Sequence, residues 1–450
     1  MSQPHLPPAI VAASSSLSLA LSDYVAAHPD SSVSSLERGV LAAVRTALPA
    51  LLQAVVQGTL RALVTQPVRC PHCQHRAMVH DWRPRQLLTL CGLLHWQRPW
   101  ATCTACGQQF GAGDATLEVA PYQQQSAGVS EVVTALGSAT SFREAAQLLA
   151  LTTGLRLSPE TVRRETEAVG TALADQQDAA VAAYAAGSEP VVLEPAPGLL
   201  VAETDGVMVR FVDDWHEVKV AVVGGWGAAT APASDGAAPA LGRLLAASYV
   251  AAREDSTAFA RRFGAEVARR GGLAVMGWHG PHQGVAELRR VVVLGDGARW
   301  IWVTVASQFG TVTEIVDFYH ACEHLSTVAG LRHGLGSAAA TAWAADRRDE
   351  LRTAGVDAIL PQLGAPPGLA AELLARLRTE QGYFRRNQAR MQYPSFRAQG
   401  LPIGSGAVES SAKHVIQQRL KRAGMRWSIP GGRALITLRA QQASQICLAA

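Results

Sequence analysis

The chain has 450 residues, of which 48% are hydrophobic and 17% charged. That length exceeds what one hydrophobic core usually organises, so two to four domains are expected, and the apolar content excludes a disordered protein. A formal net charge of +4 excludes nucleic-acid binding by bulk charge, so any such contact has to come from local basic surfaces.

Residues 1–32 are rich in Ser, Ala and Pro with weak periodicity and read as a loose terminus. Residues 33–64 place apolar side chains at helical spacing with an interruption at Pro49, which predicts a helical pair. No basic segment precedes a long apolar core, and no stretch approaches the ~18 uninterrupted apolar residues of a membrane helix. A cytoplasmic protein without a membrane span is expected.

Four of the seven cysteines form two tight pairs, Cys70-Pro-His-Cys73 and Cys103-Thr-Ala-Cys106, while Cys91, Cys322 and Cys447 stand alone. Two strands are predicted between the pairs, around 85–90 and 93–100. Two such knuckles joined by a hairpin are the layout of a zinc ribbon, with four thiolates closing a tetrahedral structural Zn2+ site; reduced structural thiols are the plainer reading. A closed site offers no open position, so its role would be to fold the module and present Arg69, Arg76, Arg83 and Arg85 to DNA or to solvent. His72, His75 and His80 read as bystanders.

Residues 128–138, 141–154 and 158–173 read as consecutive helices. Ser158-Pro159-Glu160 is a helix start, with Pro at the first helical position. The last two helices have a helix-turn-helix pattern that would carry Thr161, Arg163 and Arg164 toward a DNA groove, although many ordinary helical hairpins look the same. Residues 174–196, Ala-rich and polar, read as a linker.

Beyond it the texture changes. Strands are predicted at 199–211, 215–224 and 243–251, a helix at 255–270, and strands at 290–295 and 312–318, with a small-residue loop at 228–241. Three meandering strands, a helix and a further strand match the start of an RNase H-like fold. Residues 321–400 read as a helical insertion. A helix then starts near Ser405, whose hydroxyl is expected to cap it, with Val408, Ala412, Val415, Ile416 and Leu420 on its buried face. From Ser410 onward there are seven Lys or Arg and no Asp or Glu. Among them Arg419, Lys421, Arg422 and Arg426 are expected DNA contacts. The expected division is 1–64 helical, 65–112 ribbon, 113–180 helix-turn-helix-like, 197–320 core, 321–400 insertion and 401–450 core with basic helices.

Three acidic residues carry the chemistry. Asp205 and Asp296 each close an apolar run, and Glu409 follows a glycine turn. Carboxylates gathered at the open end of a sheet repel one another and suit hard divalent cations. Two Mg2+ ions roughly 4 Å apart, with Mn2+ as a substitute, would activate one oxygen of a phosphodiester and stabilise the leaving one. This pattern points to a nuclease-like or strand-transfer enzyme. One turn from Glu409, Lys413 could hold phosphate.

The stretches TDGVMVR, WHEVKV, VVVLGDGARWIW, EIVDFYHACEHL and NQARMQYPSFRAQGLPIGSGAVESSAKHVIQQRLKRAGMRWS, with the paired cysteines, resemble the ISKra-type transposases of bacterial insertion sequences over roughly residues 65–445. The resemblance implies a DDE transposase with an RNase H-like core in which Asp205, Asp296 and Glu409 hold the metal ions. It implies further that Asp317 and His320 lie near the active site and an extruded base. Glu217 and Lys219 match the family pattern, as residues supporting the site or as a surface pair. Double-stranded DNA, as element ends and target, is the implied partner, and joining two ends favours a homodimer or higher oligomer.

Two other readings compete. The ribbon and helices could make a non-catalytic DNA-binding protein with the core as scaffold. His320-Ala-Cys-Glu-His324 spells HxxEH, in which two histidines and Glu323 would serve a zinc metallopeptidase, though that leaves Asp205, Asp296 and Glu409 without a role.

Overall fold

The computed structural model describes residues 8–188, 198–227, 242–272, 290–309 and 311–449. The loop expected at 228–241 and the end of the linker, 189–196, lie outside them. The chain divides into two units, Met1–Thr166 and Glu167–Ala450.

In the first unit the terminus expected to be loose contains a helix, α1 (Pro8–Ala27), and the expected helical pair is one 32-residue helix, α2 (Val33–Val64), with Pro49 inside it. Ser32 caps α2 by accepting from the Ser35 amide, and the Tyr24 hydroxyl donates to Ser35 O at 2.8 Å. Proline removes one amide donor from the ladder. Packing beyond it helps keep the helix continuous: Leu52, Val56 and Leu60 sit against Leu87, Leu94 and Trp96. By length and composition alone α1 and α2 are apolar enough to cross a membrane, a test that helices of soluble proteins also pass. The packing of α2 is nevertheless that of a helix laid on a sheet, since Gln57 exchanges hydrogen bonds with the Gln97 backbone at 3.2 and 3.1 Å.

That sheet is antiparallel, β1 (Ala77–Thr89), β2 (Gly92–Cys103) and β3 (Gln109–Gly111) in that order. The first two strands run beyond their predicted ends because alternate residues stay buried, Leu94, Trp96 and Ala101 among them. Three helices follow: α3 (Ala127–Ala139), α4 (Phe142–Thr153) and α5 (Pro159–Ala185). Their core is Val129, Val133, Leu149 and Val162. A capping box of Ser141 and Glu144 starts α4, and Gly154 ends it at φ +81°. The predicted linker is helical as far as Ala185. Its alanines favour helix, and within the second unit Ala174 is buried while Asp178 pairs with Arg262 and Arg433 at 2.6 Å each.

The second unit is built on β4 (Leu199–Arg210), β5 (Trp215–Gly227), β6 (Arg243–Ala252), β7 (Val291–Gly295) and β8 (Thr313–Val316), ordered β6-β5-β4-β7-β8. The first three pair antiparallel; β4, β7 and β8 are parallel. Near-continuous apolar runs such as Val291–Gly295 follow from burial on both faces. Helices α6 (Ser256–Arg269) and α7 (Arg299–Gln308) supply Phe259, Phe263, Ile301 and Val305 to the core.

The region expected as an insertion is helical, with α8 (Phe318–His333), α9 (Ala338–Thr353), α10 (Val356–Ile359), α11 (Ala371–Arg386) and α12 (Tyr393–Ala398). The chain then returns through α13 (Gly406–Ser411), a π-helical turn (Ala412–Gln417), α14 (Gln418–Leu420) and α15 (Ile429–Ala449). Val408, Ala412, Val415, Ile416 and Leu420 are buried, as their spacing predicted. The helix starts at Gly406 with Ser405 in the N-cap position, as expected. Ser405 makes no capping bond; its hydroxyl goes to Asp317 instead, at 2.9 Å.

Candidate functional site

Strand register places the acidic residues. Glu203 lies opposite Leu294 on β4 and β7, so two residues on Asp205 faces Asp296; Gly295 lies opposite Val316, so Asp296 faces Asp317. Continued by that register, the three aspartates form one row where β7 and β8 end beside the middle of β4, with neighbouring strands about 4.8 Å apart. The resemblance implies that Asp317 lies near the other two without giving its position on the sheet. Only the pairing of β7 with β8 aligns it with the other two.

Burial raises the Asp205 carboxyl above its ordinary value, helped by the charges of Asp296 and Glu217 and opposed by the Gly206 amide, which donates to Asp205 Oδ1 at 2.7 Å. His320 also acts on Asp205, pulling it down. Asp296 Oδ1 accepts from the Ala298 amide at 2.7 Å, a local turn that fixes the carboxylate, and the Tyr383 hydroxyl donates to Asp296 O at 2.9 Å. Between them Gly297 adopts φ +91°, and a Cβ there would meet the Tyr383 ring at 2.7 Å. Only glycine meets both conditions.

On the neighbouring strand Glu217 leans over Gly206, where a Cβ would lie 2.3 Å from Glu217 Oε1. Lys219, 6% exposed, donates to Glu217 Oε2 at 2.7 Å and to Glu254 O at 3.1 Å, and lies 5.2 Å from the Trp300 ring centroid. Within the pair Lys219 is buried, while the Glu217 side chain is 39% exposed.

Asp317 is buried and committed. Its Oδ1 accepts from the His320 amide at 2.7 Å, capping α8, while Oδ2 accepts from Ser405 N and Oγ at 2.5 and 2.9 Å. The Phe318 amide donates to Ile403 O at 2.8 Å, so this corner ties the returning chain to β8. No local pattern marks Glu203, 2% exposed, whose Oε2 accepts from the Val408 amide at 2.8 Å. Burial, then the charge of Asp317, push its carboxyl up to about 7, against the pull of the Val408 and Ala407 amides.

Glu409 follows Val408 on that helix but turns outward, its Oε1 2.7 Å from Lys413 Nζ, both side chains about two-thirds exposed. Asp205, Asp296 and Glu409 thus share one end of the sheet without converging to the spacing of a preformed ion site. Among the described residues the side chains close enough to hold an ion are those of Cys70, Cys73, Cys103 and Cys106. The two histidines of the HxxEH stretch have partners of their own: His320 Nδ1 lies 3.6 Å from Glu323. His324 Nδ1 lies 2.6 Å from Glu380 and its ring stacks on Tyr383 at 3.7 Å, and no ion-holding group forms with His320.

The four sulfur atoms lie within 4.8 Å of one another, with contacts of 3.5, 3.5 and 3.7 Å. Four thiolates around one tetrahedral zinc at about 2.3 Å stand about 3.8 Å apart, so the site could hold a metal such as zinc. The Cys106 amide, then that of Ala105, hold the Cys103 thiol down at about 6. Arg85 is structural, donating to Ala120 O and Gln123 O at 2.9 and 3.0 Å. Arg83 and Arg98 lie on the Trp100 ring at 4.2 and 4.9 Å.

Of the expected DNA contacts, Arg164, Lys421, Arg422 and Arg426 are exposed, and Arg163 pairs with Glu160 at 2.6 Å at the start of α5. Arg419 is corrected. It is 1% exposed, with its guanidinium 4.8 Å from the Trp427 ring centroid and 3.3 Å from Met425 Sδ, so it packs the interior and does not face DNA. No family model matches the chain, and no curated protein matches it either.

Proposed function

We propose that the protein is a DDE transposase of the ISKra type, in which the five-stranded sheet is an RNase H-like catalytic core and the cysteine hairpin is a zinc ribbon. The observation that carries this reading is the register that sets Asp205, midway along β4, beside Asp296 just past the end of β7, with the Glu409 helix anchored on β4 through Glu203. The strand order, three antiparallel strands followed by two parallel ones, supports it.

In this reading Asp205 and Asp296 hold Mg2+ or Mn2+, and Glu409 leaves Lys413 to complete the set. Two bound ions would supply nucleophile activation and stabilisation of the leaving 3′ oxygen. Lys413, once released, faces a backbone phosphate. Gly297 lets the Asp296 loop lie against Tyr383, and Lys219 holds Glu217 beside Asp205, so the acidic end stays ordered before DNA arrives. Element ends and target are double-stranded DNA, met by the exposed Arg164, Lys421, Arg422 and Arg426, and joining two ends calls for a homodimer or larger assembly. A bacterial cytoplasmic location goes with that substrate.

The outward Glu409–Lys413 pair is also what a non-catalytic DNA-binding protein would hold. Nicking separates the two. With Mg2+ and DNA carrying the element's ends, wild type is expected to cut, while Asp205→Ala and Asp296→Ala bind equally but do not cut. Cleavage retained by Asp296→Ala would refute the carboxylate assignment.

A further inference from the structure

Two residues before Asp205 on β4, the Glu203 carboxylate is removed from water and spent on the backbone of a helix 205 residues further along the chain. The same-face alternation of a strand puts Glu203 and Asp205 on one side of the sheet. Val408, whose amide donates to Glu203, immediately precedes Glu409, and the Ala407 amide donates to the same carboxylate. One buried side chain thus joins the strand that bears the first aspartate to the helix that bears the glutamate.

The helix needs such an anchor. Its first residues have no side-chain cap, since the Ser405 hydroxyl is committed to Asp317, so the free amides at the helix start are met from the sheet. A π-helical turn begins at Ala412, three residues after Glu409, and such turns break the regular ladder that would otherwise fix the Glu409 position from the C-terminal side. The buried stripe of Val408, Ala412, Val415 and Ile416 holds the helix down against the sheet, yet apolar contact is non-directional and does not set its rotation or its sliding along the strand. A directional hydrogen bond to a buried acceptor does.

We infer that Glu203 is a positioning residue of the metal site, holding the Glu409 helix at the height on β4 from which Glu409 and Asp205 reach the same ions. The inference rests on the transposase reading and adds to it a residue that touches neither metal nor DNA. What matters is the reach of the carboxylate. Glu203→Gln keeps an acceptor oxygen at the same distance, Glu203→Asp withdraws it by one methylene, and Glu203→Ala removes it.

The test compares the four proteins at matched DNA binding, reading single-turnover nicking against Mg2+ concentration, with direct Mn2+ binding as a second readout and thermal melting as the control for folding. A misplacement of about 1 Å is enough to lower a rate about 100-fold, and loss of a residue that orients metal ligands lowers metal affinity about 10–100-fold. Glu203→Asp and Glu203→Ala are therefore expected to raise the half-saturating Mg2+ about tenfold or more and to cut the maximal rate about 100-fold, with Mn2+ binding weakened in parallel. Glu203→Gln should stay within about threefold of wild type. If Glu203→Ala does not fold, the Asp and Gln variants decide by themselves. Wild-type Mg2+ dependence and rate in Glu203→Asp, or a Glu203→Gln protein as impaired as Glu203→Asp, would overturn the inference while leaving the transposase reading standing. A wild type that neither nicks nor binds Mn2+ would remove that reading and this inference with it.

Discussion

Glu203 shows how far one side chain's environment departs from what its letter suggests. In the sequence it is an acid beside a more conspicuous acid; in the fold it is 2% exposed and its carboxyl is raised from 4.5 to about 7. The direction fixes the pH dependence. An acid whose folded pKa lies above its unfolded value stabilises the fold most when protonated, so its contribution is full below about 4.5 and is lost as pH rises through about 7. The loss is on the order of 3 kcal/mol at about 1.4 kcal/mol per unit. Urea melts without added divalent metal should show stability falling over that window, and Glu203→Gln should flatten the fall; an unchanged slope in the variant would assign it elsewhere. Gly297 and Gly206 make the complementary point. Both stand in the sequence as turn-like letters after aspartate, but their need for no side chain comes from Tyr383 and Glu217, which arrive from other elements.

At the scale of elements, periodicity predicted more than function did. The buried stripe from Val408 to Leu420 was legible because 3.6-residue spacing is local, whereas Arg419, on the same helix, looked like a surface cation and is packed on Trp427. Arg419→Ala should accordingly destabilise the second unit by about 2–4 kcal/mol in chemical denaturation, through lost packing, without specifically altering DNA affinity. If it instead weakened DNA binding in a fully stable protein, the interior placement would be wrong. The cysteine hairpin was the most legible element, since two CxxC pairs specify a ligand set by themselves. The cysteine end of its strands holds a small apolar core around Ala77, Ala101 and Ala112, so a metal held by the four thiolates would add much of that end's stability. Chelation, or Cys103→Ser, should abolish hydrogen-exchange protection in residues 68–111 and leave the β4–β7 amides protected. Joint loss of both would contradict independent folding of the two units.

For the molecule as a whole, a net charge of +4 gives little long-range attraction to DNA, so on the proposed function affinity would have to rest on a few exposed cations. End binding should weaken steeply with salt, and Arg426→Ala should reduce the slope of log K against log salt by about 1. A slope untouched by that change would place the phosphate contacts elsewhere. The sequence by itself determined the alternation of strands and helices, the thiolate set and the residues able to carry metal chemistry, because each depends on spacing within a few positions. It misread the ends, where α1 and the continuation of α5 form despite weak periodicity, and it read Pro49 as a break that packing overrides. Tertiary structure alone decided the row of Asp205, Asp296 and Asp317, the anchoring of the Glu409 helix by Glu203 and the burial of Arg419. Each depends on a pairing between segments that are distant in the chain, and such a pairing is set by register and shared burial, which no local pattern encodes.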